Sequence, residues 1–196
     1  MTLIKGNYTK AIVIVHGKCE LIMTQYIKNN LRLKMEITSD KKGSKSIQIT
    51  SLLNYLERQE FATFSGFINK FSDIEYDEEI DDFVNFKIFT IMDTDDCSPQ
   101  QAKGYKNKKM FKGHWLYPYI IPIYNSPNLD EILKTCNVLP NHKIKDDEKV
   151  KVYNKIFPID RNYIKTDAEQ LRELVIKLSK DRNTNLEEFI NYCLSC

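Results

Sequence analysis

Phe86-Lys87-Ile88-Phe89-Thr90-Ile91-Met92-Asp93-Thr94-Asp95-Asp96 decides how the chain is read. Residues 86–92 are rich in β-branched and aromatic side chains, which pack well on a pleated backbone. The run then stops on a group of carboxylates. A nearly continuous apolar run bounded in this way fits a strand buried on both faces, as in a parallel sheet. Working outward, Ala11-Ile12-Val13-Ile14-Val15 has the same character and ends in His16-Gly17-Lys18. Residues 119–124 form a third run, in which Pro122 points to an edge strand or a bulge because it has no N–H to donate.

The intervening segments carry helical patterns. Residues 20–31 place Leu21, Ile22, Tyr26, Ile27 and Leu31 on one side of a helix. Residues 33–37 alternate as a short strand does, and 39–46 form a polar loop. Residues 49–71 read as two helices broken near Glu60. The stretch 73–82 holds seven acids in ten residues and reads as a solvated loop. Ser98-Pro99 is an N-cap followed by proline at the first helical position, which predicts a lysine-rich helix over 100–110. A turn at 125–128 precedes a short helix at 129–136. After Pro140 the patterns are helical only, at 148–156, 167–178 and 185–194, with Thr166 and Thr184 placed as N-caps. Alternating strands and helices followed by helices alone predict an α/β fold. Its doubly wound, largely parallel sheet occupies residues 1–140, and a C-terminal helical extension occupies 141–196.

Composition narrows the class. Hydrophobic residues at 42% and charged residues at 29% give an ordinary globular balance and exclude wholesale disorder. The net charge of +2 neither demands nor excludes a nucleic-acid partner. Five cysteines, at 19, 97, 136, 193 and 196, are odd in number and scattered, which fits free thiols in a reducing cytoplasm. Cys193 and Cys196 lack the second pair that a zinc site requires. No apolar stretch approaches the ~20 residues that span a membrane, so no membrane partner is expected.

In an open α/β sheet, ligands gather at the carboxyl ends of the strands. Here those ends carry residues 16–20, 93–96 and 125–131. Asp93 and Asp95 follow the strand directly and can share a hard cation such as Mg²⁺ or Mn²⁺. Glu20, at the start of the first helix, faces them if the first and second strands are neighbours. Three crowded carboxylates repel one another unless a cation neutralises them. The plainer alternative is that Asp93 merely ends its strand and Asp96 and Ser98 cap the next helix.

The segments Ile14-Val15-His16-Gly17-Lys18-Cys19-Glu20 and Ile91-Met92-Asp93-Thr94-Asp95-Asp96 resemble the Toprim domain. In that family a strand leads to a Glu-Gly turn and a later strand to Asp-x-Asp. The similarity covers roughly residues 10–135 and is nearest to the small OLD-type and RloB-like Toprim nucleases of phage defence. Tyr124-Asn125-Ser126-Pro127-Asn128-Leu129-Asp130-Glu131 is similar to their later strand-end segment. The resemblance implies a metal-dependent nuclease in which Asp93, Asp95 and Glu20 hold Mg²⁺ or Mn²⁺. Lys18 would steady phosphate charge and His16 would move a proton. The chain departs from the family where His16 stands in place of the Glu before the turn. His16 can act as base or ligand, Glu20 can take the metal role, or activity is lost.

Lys103, Lys106, Lys108, Lys109 and Lys112 are interleaved with Tyr105, Phe111 and Trp115, a pattern that suits phosphate contact and base stacking. It equally fits a basic solvated helix face. The loop 41–46 is a weaker phosphate-binding candidate. The rival to a nuclease is a catalytically inactive binding or regulatory subunit that recognises nucleic acid or a protein partner. A receiver-like phosphoacceptor is disfavoured, because the first strand ends in His-Gly-Lys and not in an acidic pair.

Overall fold

The computed structural model describes residues 8–159 and 168–196. Its elements begin with β1 (Ala11–Val15), α1 (Lys18–Leu31), β2 (Met35–Thr38), α2 (Ile49–Leu56), α3 (Gln59–Ala62) and α4 (Phe64–Lys70). A two-stranded hairpin of β3 (Tyr76–Asp77) and β4 (Asp82–Phe83) leads to β5 (Lys87–Asp93) and α5 (Pro99–Lys106). The chain continues through β6 (Ile120–Asn125), α6 (Leu129–Thr135), α7 (Asp146–Ile156), α8 (Ala168–Leu178) and α9 (Leu186–Ser195). The main sheet has the order β2-β1-β5-β6, and every neighbouring pair in it is parallel. This is the α/β architecture expected from the three apolar runs, with Pro122 on the edge strand β6.

Alternation along each strand sends successive side chains to opposite faces. Ala11, Val13 and Val15 of β1, Phe89 and Ile91 of β5, and Ile123 of β6 join the cluster built with α1 and α6 to α9. Ile12, Ile14, Ile88, Met92 and Ile120 join the other cluster, which includes α2, Phe67 of α4, and Tyr105 of α5. Burial of each such Val, Ile, Phe or Met side chain stabilises the fold by about 1.5–3 kcal/mol. The helices after residue 140 therefore share a core with α1. Phe89 packs on Phe189 and Tyr192 of α9 at ring-centroid distances of 5.1 and 4.9 Å, and Tyr26 of α1 packs on Phe157 at 5.5 Å.

Several local expectations change. The helix expected over 100–110 ends at Lys106, because Lys108 takes a left-handed backbone (φ 64°), and a 3₁₀ turn follows at Lys109–Phe111. Three helices, not two, occupy 49–70, and the last is capped by the Thr63 hydroxyl accepting from the Gly66 N–H at 3.1 Å. The acidic stretch forms a hairpin as well as a solvated surface, since Ile74 and Phe83 are buried there. Thr166 lies outside the described residues. Thr184 is not the N-cap: Asn185 holds that position, and the Thr184 hydroxyl, one residue earlier, accepts from the Leu186 N–H at 3.0 Å in the turn that leads into α9. Among the described residues no helix is long and apolar enough to cross a membrane.

Candidate active site at the carboxyl end of the sheet

β1 and β5 are adjacent, with Val15 opposite Ile91, so their polar ends emerge together. Asp93 has the parity of Phe89 and Ile91 and points to the α1 face. α1 begins at Lys18, and Glu20 stands in its first turn, where its Oε2 accepts the Gly17 N–H at 2.9 Å. Glu20 is 3% exposed and Asp93 7%, so two carboxylates are withdrawn from water on the same side of the sheet. Burial, followed by the charge of Glu20, pushes the Asp93 carboxyl up to about 9. Burial also raises Glu20, with a further upward push from Asp130.

Asp93 is fixed from below by β6. Its Oδ1 accepts the Leu129 N–H at 3.0 Å and the Asn125 amide at 3.3 Å. Asn125, opposite Asp93 in register and fully buried, accepts at its Oδ1 from the Thr184 hydroxyl at 3.0 Å. A buried polar chain thus runs from Asp93 through Asn125 to the head of α9. Asp130 adds a further carboxylate, held by the Tyr153 hydroxyl at 2.7 Å and the Lys149 ammonium at 2.9 Å. Asp130 and Asn125 were not singled out individually in the sequence. Their signal was membership of the strand-end segment 124–131.

Asp95 is exposed, and its Oδ2 accepts the Asn128 amide at 2.8 Å. It does not close on Glu20 and Asp93. Among the described residues, no three His, Cys, Asp or Glu side chains converge to hold a metal ion. The donor chemistry would suit a hard cation, since Glu20 and Asp93 are buried carboxylates and the charge of Glu20 adds to the burial that raises Asp93.

His16 follows the end of β1, and a positive charge on it would offset part of the burial effect on the Glu20 carboxyl. The His16 Nδ1 lies 4.0 Å from Asp96 Oδ2. That nitrogen and both Asp96 oxygens are buried without a hydrogen-bond partner. Of the alternative that Asp96 and Ser98 cap the next helix, Ser98 does so by accepting the Gln101 N–H, whereas neither Asp96 oxygen makes a cap hydrogen bond. Lys18 is exposed at the first position of α1.

Comparison of the chain with family models, curated proteins and solved structures finds no match. The site is therefore read on its own chemistry.

The lysines divide into separate groups. Lys103 and Lys106 line a cleft beside Thr94 and Cys97. Lys108 is turned inward, donating to the Pro118 carbonyl at 3.2 Å and lying 4.7 Å from the Tyr117 ring centre. Lys109 and Lys112 are exposed. In the loop 41–46, Lys45 is drawn to Asp40 at 3.5 Å, and Arg58 reaches the same carboxylate at 3.1 Å. Burial, assisted by Glu20, pushes the Cys19 thiol up to about 12, and burial likewise raises Cys97. Neither thiol has the character of an activated nucleophile.

Proposed function

We propose that the chain is a divalent-metal-dependent nuclease of Toprim type that hydrolyses phosphodiesters, in the manner of small phage-defence nucleases. The observation that carries this reading is the pair of buried carboxylates, Glu20 and Asp93, at the carboxyl end of β1 and β5, both raised by burial and Asp93 further by the charge of Glu20. Glu20 and Asp93 would hold Mg²⁺ or Mn²⁺, joined by Asp95 on leaving Asn128. A metal bound there supplies Lewis-acid polarisation of phosphate and a more acidic water. The chain's own groups do the rest. Lys18 meets phosphate charge at the head of α1, and His16, beside Asp96, takes or returns a proton. Asn125 and the Leu129 N–H fix Asp93 in place.

A non-hydrolytic binding subunit is favoured by two observations, His16 in place of the family's Glu and the withdrawn Asp95 carboxylate. The test is incubation with supercoiled plasmid, single-stranded DNA and tRNA in Mn²⁺ or Mg²⁺. The nuclease reading expects metal-dependent cleavage of at least one substrate, abolished by Asp95→Ala with nucleic-acid affinity retained. Salt-sensitive binding with no cleavage anywhere on the panel favours the binding subunit.

A further inference from the structure

The side of the strand ends away from Asp93 carries an open cleft of about 650 Å³. One wall is the outer face of α5, with Pro99, Ala102, Lys103, Lys106 and Asn107. The facing wall is the end of β6, with Tyr124 and Ser126, and Thr94 and Cys97 of the carboxylate-bearing loop close the cleft between them. Tyr124 has the parity of Ile120 and packs with the α5-side core while remaining half-buried, so part of its ring reaches the cleft. The Lys106 ammonium rests 4.0 Å from the Tyr124 ring centre. Both Lys103 and Lys106 are exposed.

We infer that this cleft binds one unpaired nucleotide of a single-stranded nucleic acid, with its base on Tyr124 and its phosphate on Lys103 and Lys106. The inference rests on the nuclease reading and specifies its substrate class. Three observations support it. The volume lies within the roughly 300–1,000 Å³ range of small-ligand clefts, which suits a single nucleotide. Its lining joins an aromatic face and small apolar side chains to two cations, the pairing that single-strand binders use for base and backbone. Thr94 and Cys97, which close the cleft, flank Asp95 and Asp96 in sequence, so a strand seated here lies against the loop that carries those two residues. An incoming base replaces the ammonium on the Tyr124 ring, which frees Lys106 for the phosphate. A base held in a duplex stack presents no such face.

The test is fluorescence anisotropy in EDTA with labelled oligothymidylate and a labelled hairpin duplex. Tyr124→Phe should bind the single strand as wild type does. Tyr124→Leu, which keeps the apolar packing, should lose about tenfold in single-strand affinity with little change for the duplex. Lys106→Met, at an exposed position, should weaken single-strand binding and flatten its salt dependence. Equal single-strand affinity in wild type, Tyr124→Leu and Lys106→Met overturns the inference and leaves the cleavage assay untouched. Conversely, a failed cleavage assay overturns the nuclease reading without altering the metal-free Tyr124 comparison.

Discussion

At the scale of single residues, Asp93 joins stability and function. Its carboxyl is raised from an ordinary 3.8 to about 9, mainly by burial and then by Glu20. A raised carboxyl favours the folded state while protonated in both states, and that contribution is lost as pH climbs from about 4 towards 9. The metal-free protein should therefore lose stability over this range. Asp93→Asn should flatten the dependence and gain about 1–3 kcal/mol at neutral pH, as read by urea denaturation in EDTA at several pH values. A steeper pH dependence in the variant would contradict the assignment. The same substitution removes a charged oxygen ligand, so calorimetry should report Mn²⁺ affinity reduced by at least about tenfold. Asn125 is the second critical residue, because it donates to Asp93 and accepts from Thr184 in a fully buried position. Asn125→Leu removes one of the two donors to Asp93, which keeps the Leu129 N–H, and strips the Thr184 hydroxyl of its acceptor, so it should cost on the order of 1–3 kcal/mol, measured by thermal or urea unfolding. A loss below about 0.5 kcal/mol would show that the chain of bonds contributes little.

At the scale of elements, the loop before α2 is pressed against the head of α1. Gly43 has φ +80°, and a Cβ placed on it would lie 3.0 Å from the Lys18 Cα. The Ile47 N–H also donates to the His16 carbonyl at 2.7 Å. Gly43→Ala should cost about 1–2 kcal/mol through backbone strain and crowding. Because the crowded atoms belong to the first turn of α1, it should also weaken metal binding at Glu20, read by Mn²⁺ calorimetry. Unchanged stability and affinity would separate this loop from the site. Legibility in the sequence follows the same logic of contacts. The strands at 11–15 and 87–93 were readable because burial on both faces leaves an unbroken apolar run, and Pro122 marked the edge. Glu20 and Asp93 were readable because a strand end and the following turn are close in sequence. Asp130, Asn125 and the His16–Asp96 pair depend on which strands are neighbours and on pleat parity, which no local pattern records. The early stop of α5 escaped notice because Lys108 is an ordinary residue in a left-handed conformation. The withdrawal of Asp95 was equally hidden, since it turns on a hydrogen bond to Asn128 across 33 positions of sequence.

At the scale of the whole molecule, the sheet separates two kinds of chemistry. The α1 face, completed by α6 to α9, carries the buried carboxylates. The α5 face carries the cleft lined by Lys103, Lys106 and Tyr124, while His16 stands near both Asp96 and Glu20. Affinity for nucleic acid should then be separable from catalysis. Replacing Lys103, Lys106 and Lys109 together by Ala should reduce nucleic-acid binding and its salt slope, as each lost phosphate contact lowers the slope by roughly 0.7–0.9. Mn²⁺ affinity should be unchanged in the same variant, and a parallel loss of metal binding would argue against two separate surfaces. The central claim is that Glu20 and Asp93 form a divalent-metal centre. Its most direct test is an anomalous difference map from a crystal soaked in Mn²⁺. A peak is expected between the Glu20 and Asp93 carboxylates, with Asp95 swung from Asn128 towards it. A map with no peak at these carboxylates, from a crystal soaked at millimolar Mn²⁺, would contradict it.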